Sequence, residues 1–310
     1  MSASDPIWFT PPPRPSRPPA PPESREAKHV DIHIDGQPVR VPETMTILDA
    51  CRSIGIDTPT LCYLENLTPV NVCRICVVEL AGARTLAPAC SRRVEAGMAI
   101  QTNSDRVKLA RKMVLEFLAS SVDLSTAPQA QSYIKRYDAR PERYGSDSGT
   151  VHQAAKIDND LYIRDYSKCI LCYKCVEACG TDAQNTFAIA VAGRGFDARI
   201  STENDVPLPQ SACVYCGNCI GVCPTGALMF RSEYDMRRAG TWDESTQTKT
   251  DTICPYCGVG CTLTLHTQDN RIVKVTSPLD VNVTHGHLCI KGRFGFEFVQ
   301  NREGNSGSDG

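Results

Sequence analysis

Two cysteine-rich stretches decide how this sequence is interpreted. Residues 169–179 read CILCYKCVEAC, and residues 213–224 read CVYCGNCIGVCP. Each contains the spacing Cys-x2-Cys-x2-Cys-x3-Cys, so the region 161–235 holds an internal repeat. Zinc sites are usually assembled from pairs of Cys-x2-Cys, and a triple that occurs twice is poorly explained by zinc. The repeat therefore predicts two metal clusters.

This spacing is typical of ferredoxins that bind two [4Fe–4S] clusters, in which the fourth cysteine of each run binds the cluster of the other run. The crossing predicts that the two clusters lie close together, which suits electron hopping. One departure is Gly180, which stands where the second run has Pro224 and affects the turn but not the ligands. The predicted ligands are Cys169, Cys172, Cys175 and Cys223 for one cluster, and Cys213, Cys216, Cys219 and Cys179 for the other.

The composition favours thiols that bind metal. The chain has 310 residues, 17 cysteines and a net charge of −2, from 33 Lys and Arg against 35 Asp and Glu. This near-balance argues against nucleic-acid binding, which needs a clustered positive excess. No apolar run reaches the ~18 residues of a membrane span, and the N-terminus lacks the layout of a secretory signal. We therefore expect a cytoplasmic protein, in which thiols bind metals more often than they form disulfides.

A second cysteine group follows a predicted sheet. Residues 29–42 alternate between apolar and polar side chains around Asp35–Gly36, which is a strong hairpin signal. A short helix pattern at 46–51 comes next, and together these elements indicate a β-grasp unit. The group that follows, Cys62-x10-Cys73-x2-Cys76-x13-Cys90, suits a [2Fe–2S] cluster, with a zinc site as the alternative. Cys51 lies on the predicted helix, and we expect it to be a small buried thiol.

A helix is predicted after this group, at residues 104–120. Apolar residues recur there at helical spacing, so we expect the helix to pack through that face. The residues of this face are Val107, Ala110, Met113, Val114, Phe117 and Leu118.

The third group is Cys254-x2-Cys257-x3-Cys261-x27-Cys289, whose spacing alone fits either a zinc site or a [4Fe–4S] cluster. The sequence motifs around these cysteines, CPYCGVGC at 254–261 and LCIKGRFG at 288–295, closely resemble the N-terminal cluster-binding region of molybdenum or tungsten bis-pterin enzymes. The likeness is strongest to cytosolic formate dehydrogenases. It implies a [4Fe–4S] cluster here, and it implies that Lys291 lies between this cluster and the pterin cofactor.

The order of the groups extends the resemblance to about residues 29–300. This region is similar to the N-terminal part of the catalytic subunit of NAD-dependent formate dehydrogenases. The first domain is also similar to those of the large iron–sulfur subunit of complex I and of NAD-linked hydrogenases. The resemblance implies an α+β fold with one [2Fe–2S] cluster and three [4Fe–4S] clusters. The expected segments are a disordered Pro-rich tail (1–28), a β-grasp [2Fe–2S] ferredoxin (29–103), a helical connector (104–160), a two-[4Fe–4S] ferredoxin (161–235), a linker (236–250), a small β-rich [4Fe–4S] domain of the molybdopterin oxidoreductase type (251–300) and a disordered tail (301–310).

Two departures from the family pattern affect the expected function. Many relatives carry a further cluster, bound by one histidine and three cysteines, in the connector, but residues 117–124 here contain neither residue type. The family pattern also continues into a pterin-binding catalytic domain, whereas this sequence ends at Gly310. We therefore expect no catalytic residue here, and a separate chain that carries the bis-pterin centre.

Electron transfer is the function that the resemblance implies. The chain would pass electrons between a molybdenum or tungsten formate dehydrogenase centre on that partner chain and flavin/NAD-binding diaphorase subunits. One alternative is a wiring subunit of an NAD-reducing hydrogenase, although such a subunit would not need the pterin-facing motif. Another is a metal-binding assembly scaffold that transfers no electrons.

Overall fold

The computed structural model describes residues 28–145, 149, 153–279 and 283–300. The disordered tails expected at 1–28 and 301–310 lie outside this part of the chain, apart from Lys28. Within it, the fold belongs to the α+β class and contains four small sheets. No helix in the described ranges is both long enough and apolar enough to span a membrane.

Residues 29–101 form a five-stranded mixed sheet with one helix packed against it. Its elements are β1 (His29–Ile34), β2 (Gln37–Pro42), α1 (Ile47–Ser53), β3 (Val77–Leu80), β4 (Ala87–Pro88) and β5 (Ala99–Gln101). The strand order is β2-β1-β5-β3-β4, with β1 antiparallel to β2 and parallel to β5. The turn predicted at Asp35–Gly36 is present, and both residues adopt positive φ. Thr46 caps α1 by accepting a hydrogen bond from the Asp49 N–H at 3.1 Å, which stabilises the start of the helix.

Alternate residues of β1 and the inner face of α1 form the core of this sheet. Ile32, Ile34, Ile47 and Leu48 are fully buried, because only one face of the strand packs against the helix. Cys51 lies in the same core. Burial raises the pKa of its thiol to about 11, so Cys51 is a neutral packing residue at pH 7.

The helix expected at 104–120 is present as α2 (Asp105–Ser121) and is followed by α3 (Pro128–Arg136). The expectation that α2 packs through Met113 and Phe117 is wrong, because both side chains are exposed. Its buried face instead includes Arg111 and Glu116. Arg111 donates to a carbonyl of β3 at 2.9 Å, and Glu116 accepts from an arginine at 3.1 Å. Charged groups can be buried when their hydrogen bonds are satisfied, a condition that apolar spacing does not reveal.

Residues 162–230 fold around the repeated cysteine runs. The elements are β6 (Tyr162–Arg164), α4 (Lys174–Cys179), β7 (Ala190–Ala192), β8 (Arg199–Ser201), α5 (Asn218–Val222) and β9 (Leu228–Phe230). β6 pairs antiparallel with β9, and β7 pairs antiparallel with β8 in a hairpin between the two cysteine runs. Each cysteine run contains a short helix, α4 or α5, and these two helices pack together.

The last part of the described chain combines a three-stranded antiparallel sheet with short helices. Its elements are α6 (Arg231–Ala239), β10 (Thr248–Ile253), β11 (Thr262–Gln268), β12 (Arg271–Thr276), α7 (Ile290–Phe294) and α8 (Glu297–Gln300). The strand order is β10-β11-β12, and Leu263, Val275 and Leu288 form its core with Cys254. The end of α6 and the start of β10 lie within the stretch 236–250, which sequence composition predicted to be a linker.

Candidate iron–sulfur cluster sites

The structure describes all 17 cysteines, and none of them forms a disulfide. Apart from Cys51, they gather into four sets of four thiols. In each set, the charge of at least one thiol contributes to the raised pKa of another.

The first set consists of Cys62, Cys73, Cys76 and Cys90, on loops beside the five-stranded sheet. Cys62 shares side-chain hydrogen bonds with Cys73 and Cys90, and Cys76 shares one with Cys90. These bonds lower the pKa of Cys62 and raise the pKa of Cys73 and Cys90. The structure therefore brings together the four residues that the sequence predicts for a [2Fe–2S] cluster.

The second set combines cysteines from both runs of the repeat: Cys169, Cys172, Cys175 and Cys223. Burial, together with the charge of Cys223, raises the pKa of Cys169 to about 11 and that of Cys172 to about 12. Burial also raises the pKa of Cys175, with Cys172 and Cys223 as further causes. Cys223 thus lies beside the three cysteines of the other run, as the crossed pattern predicts.

The third set is the complementary combination of Cys179, Cys213, Cys216 and Cys219. All four line one cavity, together with apolar and aromatic side chains such as Ile189, Ile200 and Leu208. Burial raises the pKa of Cys216 and of Cys219, and the charge of Cys179 contributes to both shifts. A cavity lined by four thiols and several apolar side chains suits a [4Fe–4S] cluster.

Both cysteine runs begin with a tight loop that directs backbone N–H groups toward sulfur. Leu171 donates its N–H to the sulfur of Cys169, and Tyr215 donates to the sulfur of Cys213, both at 3.4 Å. Leu171 and Tyr215 adopt φ values of 50° and 55°, which are uncommon for residues other than glycine. Loops that turn successive N–H groups inward bind anions and iron–sulfur clusters. The local backbone therefore fits a negatively charged cluster at each run.

The fourth set consists of Cys254, Cys257, Cys261 and Cys289. Cys254 donates its backbone N–H to the carbonyl of Cys261 at 2.8 Å, which closes the loop between them. Burial raises the pKa of Cys261, and the charges of the other three thiols raise it further. Cys257 and Cys289 are exposed, unlike the cysteines of the other sets. Lys291 is also exposed and lies on α7, two residues after Cys289.

The donor chemistry of the four sets fits iron–sulfur clusters, which are bound by four thiolates. A bound cluster would keep these thiols deprotonated, although burial raises the pKa of several of them, such as Cys169, Cys175 and Cys219. Among the described residues, no group of three or more His, Cys, Asp or Glu side chains is positioned to hold a single metal ion. The assignment of individual ligands stays a prediction from the sequence.

Three further residues at these sites were not predicted from the cysteine patterns. The Tyr162 hydroxyl lies 3.1 Å from the sulfur of Cys213. Lys174 is buried beside thiols of the first and second sets, and Arg293 is buried beside thiols of the third and fourth sets. Lys174 and Arg293 stand inside the cysteine motifs, and this position is the only sequence signal that points to them.

Comparison with known protein families identifies three segments. The 2Fe-2S iron-sulfur cluster binding domain matches residues 27–105, the 4Fe-4S dicluster domain matches residues 168–227, and the molybdopterin oxidoreductase Fe4S4 domain matches residues 247–301. The chain carries three iron–sulfur domains in series. Their order is the order predicted from the three cysteine groups.

Curated relatives match this chain over about a third of their own length. One subunit of an NADH-quinone oxidoreductase from Rhizobium meliloti (strain 1021) is 31% identical over 282 residues, which cover 88% of this chain and 32% of the relative. The HndD subunit of NADP-reducing hydrogenase from Solidesulfovibrio fructosivorans is 40% identical over 209 residues, which cover 64% of this chain and 35% of the relative. A putative formate dehydrogenase from Staphylococcus haemolyticus (strain JCSC1435) is 26% identical over 323 residues, which cover 88% of this chain and 31% of the relative.

A solved structure shares the fold of much of this chain. One chain in the crystal structure of an NAD+-reducing [NiFe]-hydrogenase in the H2-reduced state matches with a TM-score of 0.57 and 22% sequence identity. The match covers 65% of this chain and 87% of that chain. At this identity the likeness concerns the fold alone.

Proposed function

We propose that the chain is an electron-transfer wire of one [2Fe–2S] and three [4Fe–4S] clusters, bound in the order of the first, second, third and fourth sets. The observation that carries this proposal is that each set lies close to the next: Lys174 lies beside the first and second, the charge of a thiol of the third acts on a thiol of the second, and Arg293 lies beside the third and fourth. When bound, the clusters would supply one-electron oxidation and reduction. The residues of this chain would hold the clusters, keep water away from them and tune their potentials.

Lys174 supports the contact between the first and second sets. Its side chain is 6% exposed, and no ion pair within the described residues includes it. The thiols that act on its ammonium group belong to both sets: Cys172, Cys223, Cys62 and Cys73. A buried charge is costly without an opposite charge nearby. Clusters at both sets would supply negative charge on either side of Lys174.

Cys175 and Cys219 support the contact between the second and third sets. The charge of Cys219 contributes to the raised pKa of Cys175, so these thiols of different sets lie close together. Cys179, the last residue of α4, joins the third set although its own run supplies most of the second. Because α4 and α5 pack together, one small unit would hold both clusters at a short, fixed separation.

Arg293 supports the contact between the third and fourth sets. It lies on α7, just after Cys289 of the fourth set, and donates to the carbonyl of Cys216 in the third set at 3.0 Å. Thiols of both sets act on its guanidinium group. The four sets would therefore form a line without a gap, even though the sequence lacks the cluster bound by one histidine and three cysteines.

The exposure of the fourth set supports electron transfer between this end of the chain and another redox centre. Cys257 and Cys289 are exposed, and the flanking side chains Ile253, Val259 and Ile290 are 61%, 59% and 41% exposed. Exposed apolar side chains grouped around a site favour contact with another protein surface. We propose that this surface faces a molybdenum or tungsten bis-pterin centre of the formate dehydrogenase type, with Lys291 between the cluster and the pterin.

The first set would form the other end, where flavin/NAD-binding subunits exchange electrons with the chain. Cys73 is half-buried there, and the neighbouring Val72 is 40% exposed. A hydrogenase is the second candidate partner, and the identity to the NADP-reducing hydrogenase subunit favours it. The sequence motifs at 254–261 and 288–295, and the match to a molybdopterin oxidoreductase Fe4S4 domain, favour the bis-pterin partner.

The test is an EPR-monitored redox titration of the chain purified without oxygen. We expect a slowly relaxing [2Fe–2S] signal, fast-relaxing [4Fe–4S] signals, and line broadening from spin coupling between neighbouring clusters. Absence of the [2Fe–2S] signal, or cluster signals without mutual broadening, would contradict the wire. Native co-purification with metal analysis of the partners separates the two candidates, because a formate dehydrogenase partner would bring molybdenum or tungsten and no nickel.

A further inference from the structure

We propose that Arg293 is a shared counter-cation of the clusters at the third and fourth sets, and that it positions the two cysteine loops for electron transfer between them. This inference rests on the proposed function, because it concerns clusters bound at both sets. Arg293 is a positioning residue, since it acts through its charge and through the loops and ligates no metal.

The first observation is that Arg293 is buried without a carboxylate partner in the described part of the chain. The Arg293 side chain is 1% exposed, and no ion pair in the described part of the chain includes it. The equally buried Arg164, by contrast, pairs with Asp158. A buried guanidinium without a negative partner is strongly unfavourable. The groups that can carry negative charge near Arg293 are the thiols of Cys216, Cys219 and Cys289, which belong to the third and fourth sets.

The hydrogen bonds of Arg293 hold it between the two loops. Its Nε donates to the carbonyl of Cys216, and its Nη2 donates to Oδ1 of Asn218, both at 3.0 Å. The same Oδ1 accepts the backbone N–H of Leu288 at 2.9 Å. Because Leu288 directly precedes Cys289, Arg293 and Asn218 together tie the loop of the third set to the loop of the fourth.

Two glycines leave the space that this side chain occupies. Gly217 has a φ of 70°, and a Cβ at this position would lie 2.3 Å from Cδ of Arg293. A Cβ at Gly221 would lie 3.2 Å from Nη1 of Arg293. The second cysteine run therefore contains a slot shaped for the arginine.

The chemical consequence follows from the charge of the clusters. A [4Fe–4S] cluster bound by four thiolates carries negative charge, and reduction increases it. A fixed positive charge nearby stabilises the reduced state and raises the reduction potential. Since Arg293 faces two sets, it would raise the potential of both clusters and reduce the repulsion between them when both are reduced.

Arg293→Gln and Asn218→Asp test the proposal in complementary ways. The first removes the positive charge, and the second gives Arg293 a carboxylate partner while keeping an oxygen acceptor in place. In both variants we expect reduction of the third and fourth clusters to become about tenfold less favourable, a shift of about 59 mV to more negative potential for a one-electron couple. The first and second clusters should shift less.

Two further variants serve as controls for charge and for burial. Arg293→Lys keeps the charge and should restore most of the potential. Arg111→Gln removes another arginine that is buried without an ion pair in the described ranges, and should leave the third and fourth potentials unchanged.

The outcomes separate this inference from the proposed function. Normal iron content with unchanged potentials in both Arg293→Gln and Asn218→Asp would overturn the counter-cation role and leave the wire intact. Loss of iron from both sets in both variants would assign Arg293 a purely structural role and also overturn it. Absence of clusters from the unsubstituted chain would instead refute the proposed function.

Discussion

The hydroxyl of Tyr162 lies 3.1 Å from the sulfur of Cys213, at the wall of the cavity that the third set lines. The ring of Tyr162 is 1% exposed and stacks on Phe294, with ring centroids 6.1 Å apart. Burial raises the pKa of Tyr162, so the hydroxyl keeps its proton and would donate to the sulfur of a cluster-bound Cys213. Hydrogen bonds to ligand sulfurs raise the potential of an iron–sulfur cluster.

Tyr162→Phe should therefore make the potential of the third cluster more negative. The loss of one hydrogen bond of about 1 kcal/mol predicts reduction that is about fivefold less favourable. The measurement is an EPR-monitored redox titration with Tyr137→Phe as the control, because the Tyr137 hydroxyl accepts from Arg111 and not from a cysteine. An unchanged potential would show that this contact does not tune the cluster.

Lys174→Met should lower the potentials of the first and second clusters together. The substitution keeps the apolar length of the side chain and removes the positive charge that lies between these sets. Lys112→Met is the control, since the Lys112 ammonium is paired with Asp138 at 3.3 Å and lies on α2. A shift of only one of the two clusters would contradict the placement of Lys174 between them.

Cys51→Ala should leave the iron content unchanged, whereas Cys90→Ala should remove about two irons per chain. Cys51 is a packing thiol in the first core, so its loss should lower the free energy of unfolding by about 1 kcal/mol. The measurements are iron analysis and urea unfolding of both variants. Iron loss from Cys51→Ala would contradict the ligand assignment of the first set.

The burial of His266 on β11 leads us to expect that the stability of the domain at residues 247–301 depends on pH. Burial, followed by the charges of Lys274 and Lys249, lowers its pKa from its usual value to about 4. An imidazole in the unfolded chain titrates near 6.5, so the unfolded state binds more protons between about pH 6.5 and 4. Stability should therefore fall as the pH decreases through this window.

His266→Gln should weaken this dependence relative to the unsubstituted chain in urea unfolding between about pH 4.5 and 7.5. His33→Gln is the matched control, because His33 is an exposed residue of β1. If the two variants lose stability equally as the pH falls, the buried imidazole of His266 is not the source.

The cysteine groups, together with the sequence motifs around them, predicted the order of the three iron–sulfur domains. The turn at Asp35–Gly36 was also predictable, since local residue types determine it. Burial of charged residues was not predictable. Arg111 and Glu116 are buried and form hydrogen bonds with residues on other elements, whereas Met113 and Phe117 on the same helix are exposed.

Lys174 and Arg293 illustrate the same limit at the cluster sites. A lysine or an arginine in a sequence is normally interpreted as surface charge, because burying either group alone is unfavourable. The interpretation changes only when the fold shows thiols of two sets around each side chain. The spacing of the cysteines thus predicts where the clusters bind, but not what lies between them.

The metal content of the chain, purified without oxygen, tests the central claim most directly. One [2Fe–2S] and three [4Fe–4S] clusters predict about 14 irons per chain and no stoichiometric zinc. About four irons per chain, or one or more zinc ions per chain, would contradict a wire of four clusters and favour a metal-binding scaffold instead.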